Sequence, residues 1–403
     1  MRVLIVSQYF YPEEFKINDL VNGLVRRGHS VTVLTGKPNY PQGDYFAGYR
    51  FWGVVREDYN GASLIRVPLI RRGKGGAFRL ILNYLSFVFF GNWYVRTHKC
   101  DYDSVFVWET SPITQVYPGI IACKKSKCRL SMWVQDLWPE SVSATTSIHN
   151  GLIMSILDKM VARIYAKCDT IFVQSKAFID SICSKGDFAD KIVYAPNWAE
   201  DLFLDPKVTV SKYTGLIPDG FKVMFAGNIG EAQDFDSVIQ AAKLTSQFPY
   251  IQWVIVGDGR ARTRIEELVV KEGLSATVHF LGRFPASEMP NFFCHADVML
   301  VSLKDVFIFS LTIPSKVQAY MASGKPILTM LNGEGNRIIE EASCGITSNA
   351  SDARQLAENV IRMYNMSENE RRLIGERGKE YYHKHFEQDT VIDTIESKLI
   401  LIP

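Results

Sequence analysis

The sequence predicts an α/β protein made of two Rossmann-like βαβ domains facing one another across a cleft. Three observations carry that expectation. Short apolar runs, such as residues 3–6 and 221–226, recur along the chain and alternate with stretches of helical periodicity. The length of 403 residues suits two domains better than one. Residues 196–220, punctuated by Pro206, Gly215, Pro218 and Gly220, show no helical stripe and read as a boundary. The expected division is residues 1–200, then 201–384, with a last helix at about 385–403 packing back on the first domain.

Composition bounds the class of protein. Hydrophobic residues make up 47% and charged residues 22%, as in globular chains. The net charge of +2 is unevenly spread: residues 1–200 hold 24 Lys+Arg against 17 Asp+Glu, and the rest hold 21 against 26. A basic first half suggests an anionic partner there, and nothing points to nucleic acid. The seven cysteines are scattered, and Cys123 and Cys128 have no matching pair, so reduced thiols and no metal site are expected. The first residues, MRVLIVSQYF, read as a strand and not as a signal peptide, which fits a cytoplasmic chain.

In the first half, residues 3–6 and 30–34 read as strands flanking a helix whose stripe is Ile17, Leu20, Val21, Leu24 and Val25. The turn is not G-x-G-x-x-G, which argues against a dinucleotide cofactor. The loops SQYFYPEE and KPNY follow these strands at the sheet edge where ligands bind in open α/β sheets. Residues 50–100 carry nine Lys+Arg and two acids. There, Arg71, Arg72 and Lys74 precede the apolar run 77–95, which Arg79, Asn83 and Asn92 interrupt. We read it as a helix that packs on the domain and exposes apolar surface beside basic charge, a combination suited to an anionic membrane surface at about residues 71–95. Further strands are expected at 103–108, 130–134, 171–174 and 191–195. The ends of the first two place Glu109, Asp136 and Glu140 on one edge, where carboxylates can orient hydroxyls or serve as acid or base. Asp136 and Glu109 are the catalytic candidates among them.

In the second half, strands at 221–226, 253–256, 278–281 and 297–301 end in Gly227-Asn228-Ile229-Gly230, Gly257-Asp258-Gly259, Gly282-Arg283-Phe284 and Leu303-Lys304. Gly227 and Gly230 would let backbone N–H groups approach an anion. The segment TIPSKVQAYMASGKPIL reads as turn, helix and strand, with Pro314, Ser315 and Lys316 opening the helix. A helix start with a lysine suits a phosphate, which makes Lys316 the third catalytic candidate.

The motifs SQYFYPEEFKINDL, LTGKPNYPQG, VFVWETSPITQVYP, WVQDLWPES, APNWAEDLF, GNIGEAQ and PSKVQAYMASGKPIL, in this order, resemble the GT-B retaining glycosyltransferases of family 4. Among these they are most similar to bacterial polysaccharide (O-antigen or capsule) N-acetyl-L-fucosamine transferases. The resemblance implies a UDP-sugar donor in the C-terminal domain, at Gly227, Asn228, Ile229, Gly230, Gln233, Gly257, Arg283, Phe284, Lys304, Thr312, Ser315, Lys316 and Gln318. It implies an acceptor in the N-terminal domain, at Tyr9, Tyr11, Glu13, Asn18, Asn39, Tyr40 and Trp138. It further implies no metal, no cofactor, retention at the anomeric carbon, and a GlcNAc-type acceptor on undecaprenyl diphosphate at the cytoplasmic face of the inner membrane. The chain departs from the family where Leu311 and Ala319 replace a glutamate pair, which makes Gln318 a candidate for the ribose. Asn228 and Gln233 stand where Arg and Lys are common, and Gln135 where a histidine is often found. The alternative reading is a transferase of the same fold using another UDP-sugar donor, or a two-domain non-hydrolytic UDP-sugar epimerase.

Overall fold

The computed structural model describes residues 1–73, 76–145, 151–204, 208–209 and 212–400. Lys74 of the basic cluster, Pro206 of the predicted boundary and residues 401–403 lie outside them. The chain divides into two compact units, Met1–Pro196 with Asp389–Pro403, and Asn197–Gln388.

The first unit is built on eight strands: β1 (Arg2–Val6), β2 (Ser30–Thr35), β3 (Val55–Tyr59), β4 (Ala62–Arg66), β5 (Ser104–Glu109), β6 (Arg129–Val134), β7 (Thr170–Val173) and β8 (Ile192–Tyr194). Their order is β3-β4-β2-β1-β5-β6-β7-β8. Neighbours run parallel, with Val3 beside Val31 and Ser104, except that β3 and β4 pair antiparallel. The β3–β4 hairpin was not predicted. Its turn is Asn60-Gly61, both with positive φ (52° and 91°), the residue types a tight two-residue hairpin turn requires. Every residue of β5 is buried, as expected for a strand covered on both faces.

Helix α1 (Lys16–Arg26) buries Ile17, Leu20, Val21 and Leu24, each contributing about 1.5–3 kcal/mol. The last helix, Gln388–Ile400, packs on it. A Cβ at Gly23 would stand 2.5 Å from Ile392 Cδ1, so glycine permits this approach. Arg27 pairs with Asp389 and Asp393, and His29 Nε2 lies 2.6 Å from Glu396.

Helix α2 (Ala77–Thr97) reverses the usual pattern of a surface helix. Two of its polar residues, Asn83 and Ser86, face inward: Asn83 is fully buried, accepts from Gln8 Nε2 at 2.8 Å and donates to the Ile70 carbonyl. Its aromatic and aliphatic residues Phe78, Ile81, Leu85, Phe89 and Trp93 form an outward stripe at helical spacing, with Phe78 74% and Trp93 64% exposed. Gly91 lets the helix touch Pro118, where a Cβ would be 2.8 Å from Pro118 Cγ. Among the described residues no helix is long and apolar enough to cross a membrane.

The second unit holds a parallel sheet of β9 (Phe221–Ala226), β10 (Ile251–Val256), β11 (Val278–Gly282), β12 (Val298–Ser302), β13 (Ile327–Met330) and β14 (Gly345–Ser348), in the order β11-β10-β9-β12-β13-β14. Alternate residues serve two cores. Val223, Phe225, Val298 and Leu300 pack on one face, while Met224, Ala226, Met299 and Val301 pack on the other. Helix α3 (Ser315–Ala322) carries most of the PSK motif, and α4 (Glu368–His385) covers the same face through Tyr382, with Phe386 just after its end.

Candidate active site

In the second unit the strand ends clasp one another. Gly227, at φ 138°, follows β9, and a Cβ on Gly257 would fall 1.8 Å from the Gly227 carbonyl oxygen. The Gly227 N–H donates to Val256 O and the Ile229 N–H to Asp258 O, both at 2.9 Å. The Gly230 N–H donates to Gln233 Oε1 at 3.1 Å. The N–H groups of Gly227, Ile229 and Gly230 are therefore occupied within the protein. Those donors hold the loops together, and Gln233 closes its own turn.

The positive charge comes from below. A Cβ at Gly227 would lie 2.9 Å from Lys316 Cε and 3.2 Å from Nζ, so glycine at this position makes room for the lysine. The ammonium stands 5.0 Å from the Phe225 ring centroid. Burial pushes Lys316 down to about 8. No carboxylate forms an ion pair with it among the described residues. A buried, unpaired ammonium is costly, and the cost is relieved by an anion. Ser315 opens α3 beside it without a side-chain cap, and Thr312 closes the preceding turn onto Phe309 O at 3.2 Å.

Two cavities share Gly227 and Met289. The larger, about 580 Å³, is lined by Asn228, Gly257, Asp258, Arg283 and Phe284 among others. The smaller, about 320 Å³, is lined by Glu200, Ser315, Lys316, Ala319 and Tyr320 among others. Met289 and Glu200 were not predicted, and no local pattern marks either. Two predicted donor residues have other roles. Gln318 is buried and donates to the Asn197 carbonyl at 2.7 Å, so it does not face a ligand. Lys304 is 3.4 Å from Glu231 Oε2 and is shared with that exposed carboxylate.

In the first unit the predicted acceptor residues divide into scaffold and surface. Glu13 is buried: Oε1 accepts from the N–H groups of Asn39 (2.8 Å) and Tyr40 (2.7 Å), and Oε2 from Phe10 (3.1 Å). Burial pushes its carboxyl up to about 7 against those donors. Asn18 accepts from Tyr11 N and donates to Glu13 O, and Asn39 accepts from Arg72 N and donates to Lys37 O. Glu13, Asn18 and Asn39 thus join the two loops instead of facing an acceptor. The faces left open are aromatic. Tyr11 and Tyr40 are exposed, and Tyr40 is 5.7 Å from the mostly covered ring of Tyr9. Arg72 lies 5.1 Å from the Tyr40 ring centroid and donates to Tyr9 Oη at 3.2 Å.

Asp136 follows β6 and is half-buried, with Oδ2 accepting the Ser111 N–H at 2.8 Å. Trp138 donates from Nε1 to Ser111 Oγ at 3.1 Å, so one serine aligns both residues. Glu109, predicted as catalytic, has no exposed surface at the end of β5. Burial first, then the charge of Asp136, push its carboxyl well above the usual range. It is an interior group with no surface open to a ligand. Glu140 is paired with Lys185 at 2.8 Å.

Residues 210–381 match the family described as glycosyl transferases group 1. The chain is 26% identical over 290 residues to the putative colanic acid biosynthesis glycosyl transferase WcaI of Escherichia coli K12, covering 68% of this chain and 70% of that protein. It is 27% identical over 232 residues to the probable glycosyltransferase WbjE of Pseudomonas aeruginosa, covering 56% and 57%. Among solved structures, Anabaena HepE in complex with UDP and glucose superposes with a TM-score of 0.69 at 14% identity, over 100% of both chains. Sucrose-phosphate synthase from Thermosynechococcus elongatus gives 0.73 at 16% identity, over 98% of each. The fold is GT-B, and the family match falls within the second unit.

Proposed function

We propose that this protein is a group 1 glycosyltransferase that moves a sugar from a UDP-sugar, held by the second unit, to a lipid-linked acceptor received by the first. The observation that carries the proposal is Lys316, a half-buried lysine beside Gly227 with no carboxylate ion pair among the described residues, lining a cavity of about 320 Å³. The neighbour HepE is described in complex with UDP and glucose, and WcaI is named for colanic acid biosynthesis, which supports polysaccharide synthesis as the setting. The motif resemblance makes N-acetyl-L-fucosamine the first donor to test, and a GlcNAc-type sugar on undecaprenyl diphosphate the first acceptor.

Negative charge builds on the leaving diphosphate as the glycosidic bond breaks. The ammonium of Lys316 and the uncapped start of α3 would stabilise it, and the proposed reaction draws on no cofactor or metal. Retention follows if the acceptor hydroxyl attacks the face that the diphosphate leaves. Asp136, held by Ser111, is the group assigned to accept the hydroxyl proton.

The test is a transfer assay with labelled UDP-sugars, a synthetic GlcNAc-diphosphate-lipid and chelator present. Lipid-linked product from one donor is expected. UDP-sugar interconversion without acceptor would instead indicate an epimerase.

The α2 stripe supports a site of action on the cytoplasmic face of the bacterial inner membrane. Its apolar side chains are exposed in a row beside Arg79 and Arg71, a surface matched to anionic lipid. Changing Phe89 and Trp93 together to aspartate is expected to weaken binding to anionic phospholipid vesicles by at least about tenfold. Transfer to a water-soluble acceptor should be retained. Equal co-sedimentation of variant and parent would count against the lipid surface.

A further inference from the structure

Lys37, in the KPNY loop, follows β2 by two residues and is 1% exposed. Among the described residues its ammonium makes no hydrogen bond and no ion pair. Burial first, then the charge of Arg66, push it down to about 8. A cation held in this way is costly, and an oxyanion relieves the cost.

A second cation stands on the neighbouring strand. Thr35, the last residue of β2, is the register partner of Arg66, the last residue of β4. Arg66 is fully buried. Its Nε donates to Glu57 Oε2 at 2.6 Å and its Nη2 to the Tyr11 carbonyl, while Nη1 is buried with no partner. Guanidinium nitrogens only donate, so an acceptor is missing at Nη1. Glu57 favours the charge on Lys37, but its Oε2 already accepts from Arg66 and from the Tyr49 hydroxyl. Arg50 adds a third positive charge that opposes Lys37. Two buried cations, each with an unused donor, thus stand at the ends of β2 and β4, the sheet edge where ligands bind. The Tyr11 carbonyl ties them to a loop whose tyrosine ring is exposed.

We propose that Lys37 and Arg66 form an oxyanion site in the first unit that takes the diphosphate of the acceptor. The proposal rests on the lipid-linked acceptor reading and deepens it by naming the side chains that meet the acceptor's charge. Glu57 is the internal competitor, a carboxylate that offsets Arg66 when no anion is bound.

The experiment is calorimetric titration of inorganic pyrophosphate into the full chain carrying Lys316→Met, so that the lysine of the second unit does not contribute. Binding is expected. Adding Lys37→Met should weaken it by roughly tenfold or more, the scale of a hydrogen bond to a charged group. This change removes a buried, unpaired charge, so the thermal midpoint should not fall. Glu57→Gln should tighten binding, because the amide oxygen can still accept from Arg66 while the competing charge is gone. A pair with a purely structural role would show neither change. No pyrophosphate binding, or affinity unaltered by both Lys37→Met and Glu57→Gln, overturns the site. A water-soluble short-chain GlcNAc-diphosphate should displace pyrophosphate, and an alkyl glycoside of GlcNAc should not. Failure of the diphosphate to displace it overturns the assignment to the acceptor and makes free phosphate the ligand. Pyrophosphate bound through Lys37 in a chain that transfers no sugar would overturn the transferase reading while supporting the oxyanion site.

Discussion

Replacing Lys316 by methionine is expected to lower turnover by about 10²–10³ while the chain remains folded, the usual consequence of removing one preorganised charge donor. Methionine fills a similar volume under Gly227 and keeps contact with Phe225, but it carries no charge. The ammonium is buried without a carboxylate, so its removal relieves a desolvation cost, and the thermal midpoint should stay level or rise. The pH dependence gives a second readout. Burial holds Lys316 at about 8 in the free protein, and only the charged form attracts a diphosphate. Binding therefore favours protonation. Affinity for UDP should be highest below about 8 and fall as pH rises through that value, by up to about tenfold per unit. The methionine variant should lack that slope. Near-normal turnover in it, or the same slope, would remove Lys316 from the chemistry.

The second large effect is expected at Asp136. Asp136→Asn should reduce kcat by about 10²–10⁴, the range for loss of a general base. The asparagine carbonyl can still accept the Ser111 N–H, so the loop after β6 and the placement of Trp138 should survive. UDP affinity should be unchanged, because the donor is assigned to the second unit. A kcat close to the parent's would mean that another group takes the proton.

Much of the fold was legible because parallel strands covered on both faces are short and largely apolar. β1, β5, β6, β9, β10 and β12 all stand out in this way. The β3–β4 hairpin escaped notice because VREDY is an edge strand with alternating exposure and few apolar residues, although Asn60-Gly61 was its available signal. The site was less legible, for a physical reason. A strand buried on both faces has no polar alternation, so nothing in the sequence showed that Glu109 points into the interior while Asp136 two loops away does not.

The same limit applies to the loops. The sequence placed Glu13, Asn18 and Asn39 at the ligand-binding edge, and they lie there, but their polar atoms are consumed by neighbouring backbone groups. Gly227 was expected to let backbone N–H groups approach an anion. In the structure its φ of 138° and the nearby end of the Lys316 side chain are what favour glycine there. Helix α2 shows the converse. Asn83, which interrupted its apolar run, proved to anchor it, while Phe78, Ile81, Leu85, Phe89 and Trp93 of that run are left outside.

The measurement that bears most directly on these roles is a crystal structure of the chain with UDP bound. We expect a diphosphate oxygen within about 2.7–2.9 Å of Lys316 Nζ, the length of a charge-assisted hydrogen bond, with the uracil towards Phe284. UDP bound elsewhere, or bound in these cavities with Lys316 still against Phe225 and no phosphate oxygen in reach, would contradict the assignment of the second unit as the donor site through this lysine.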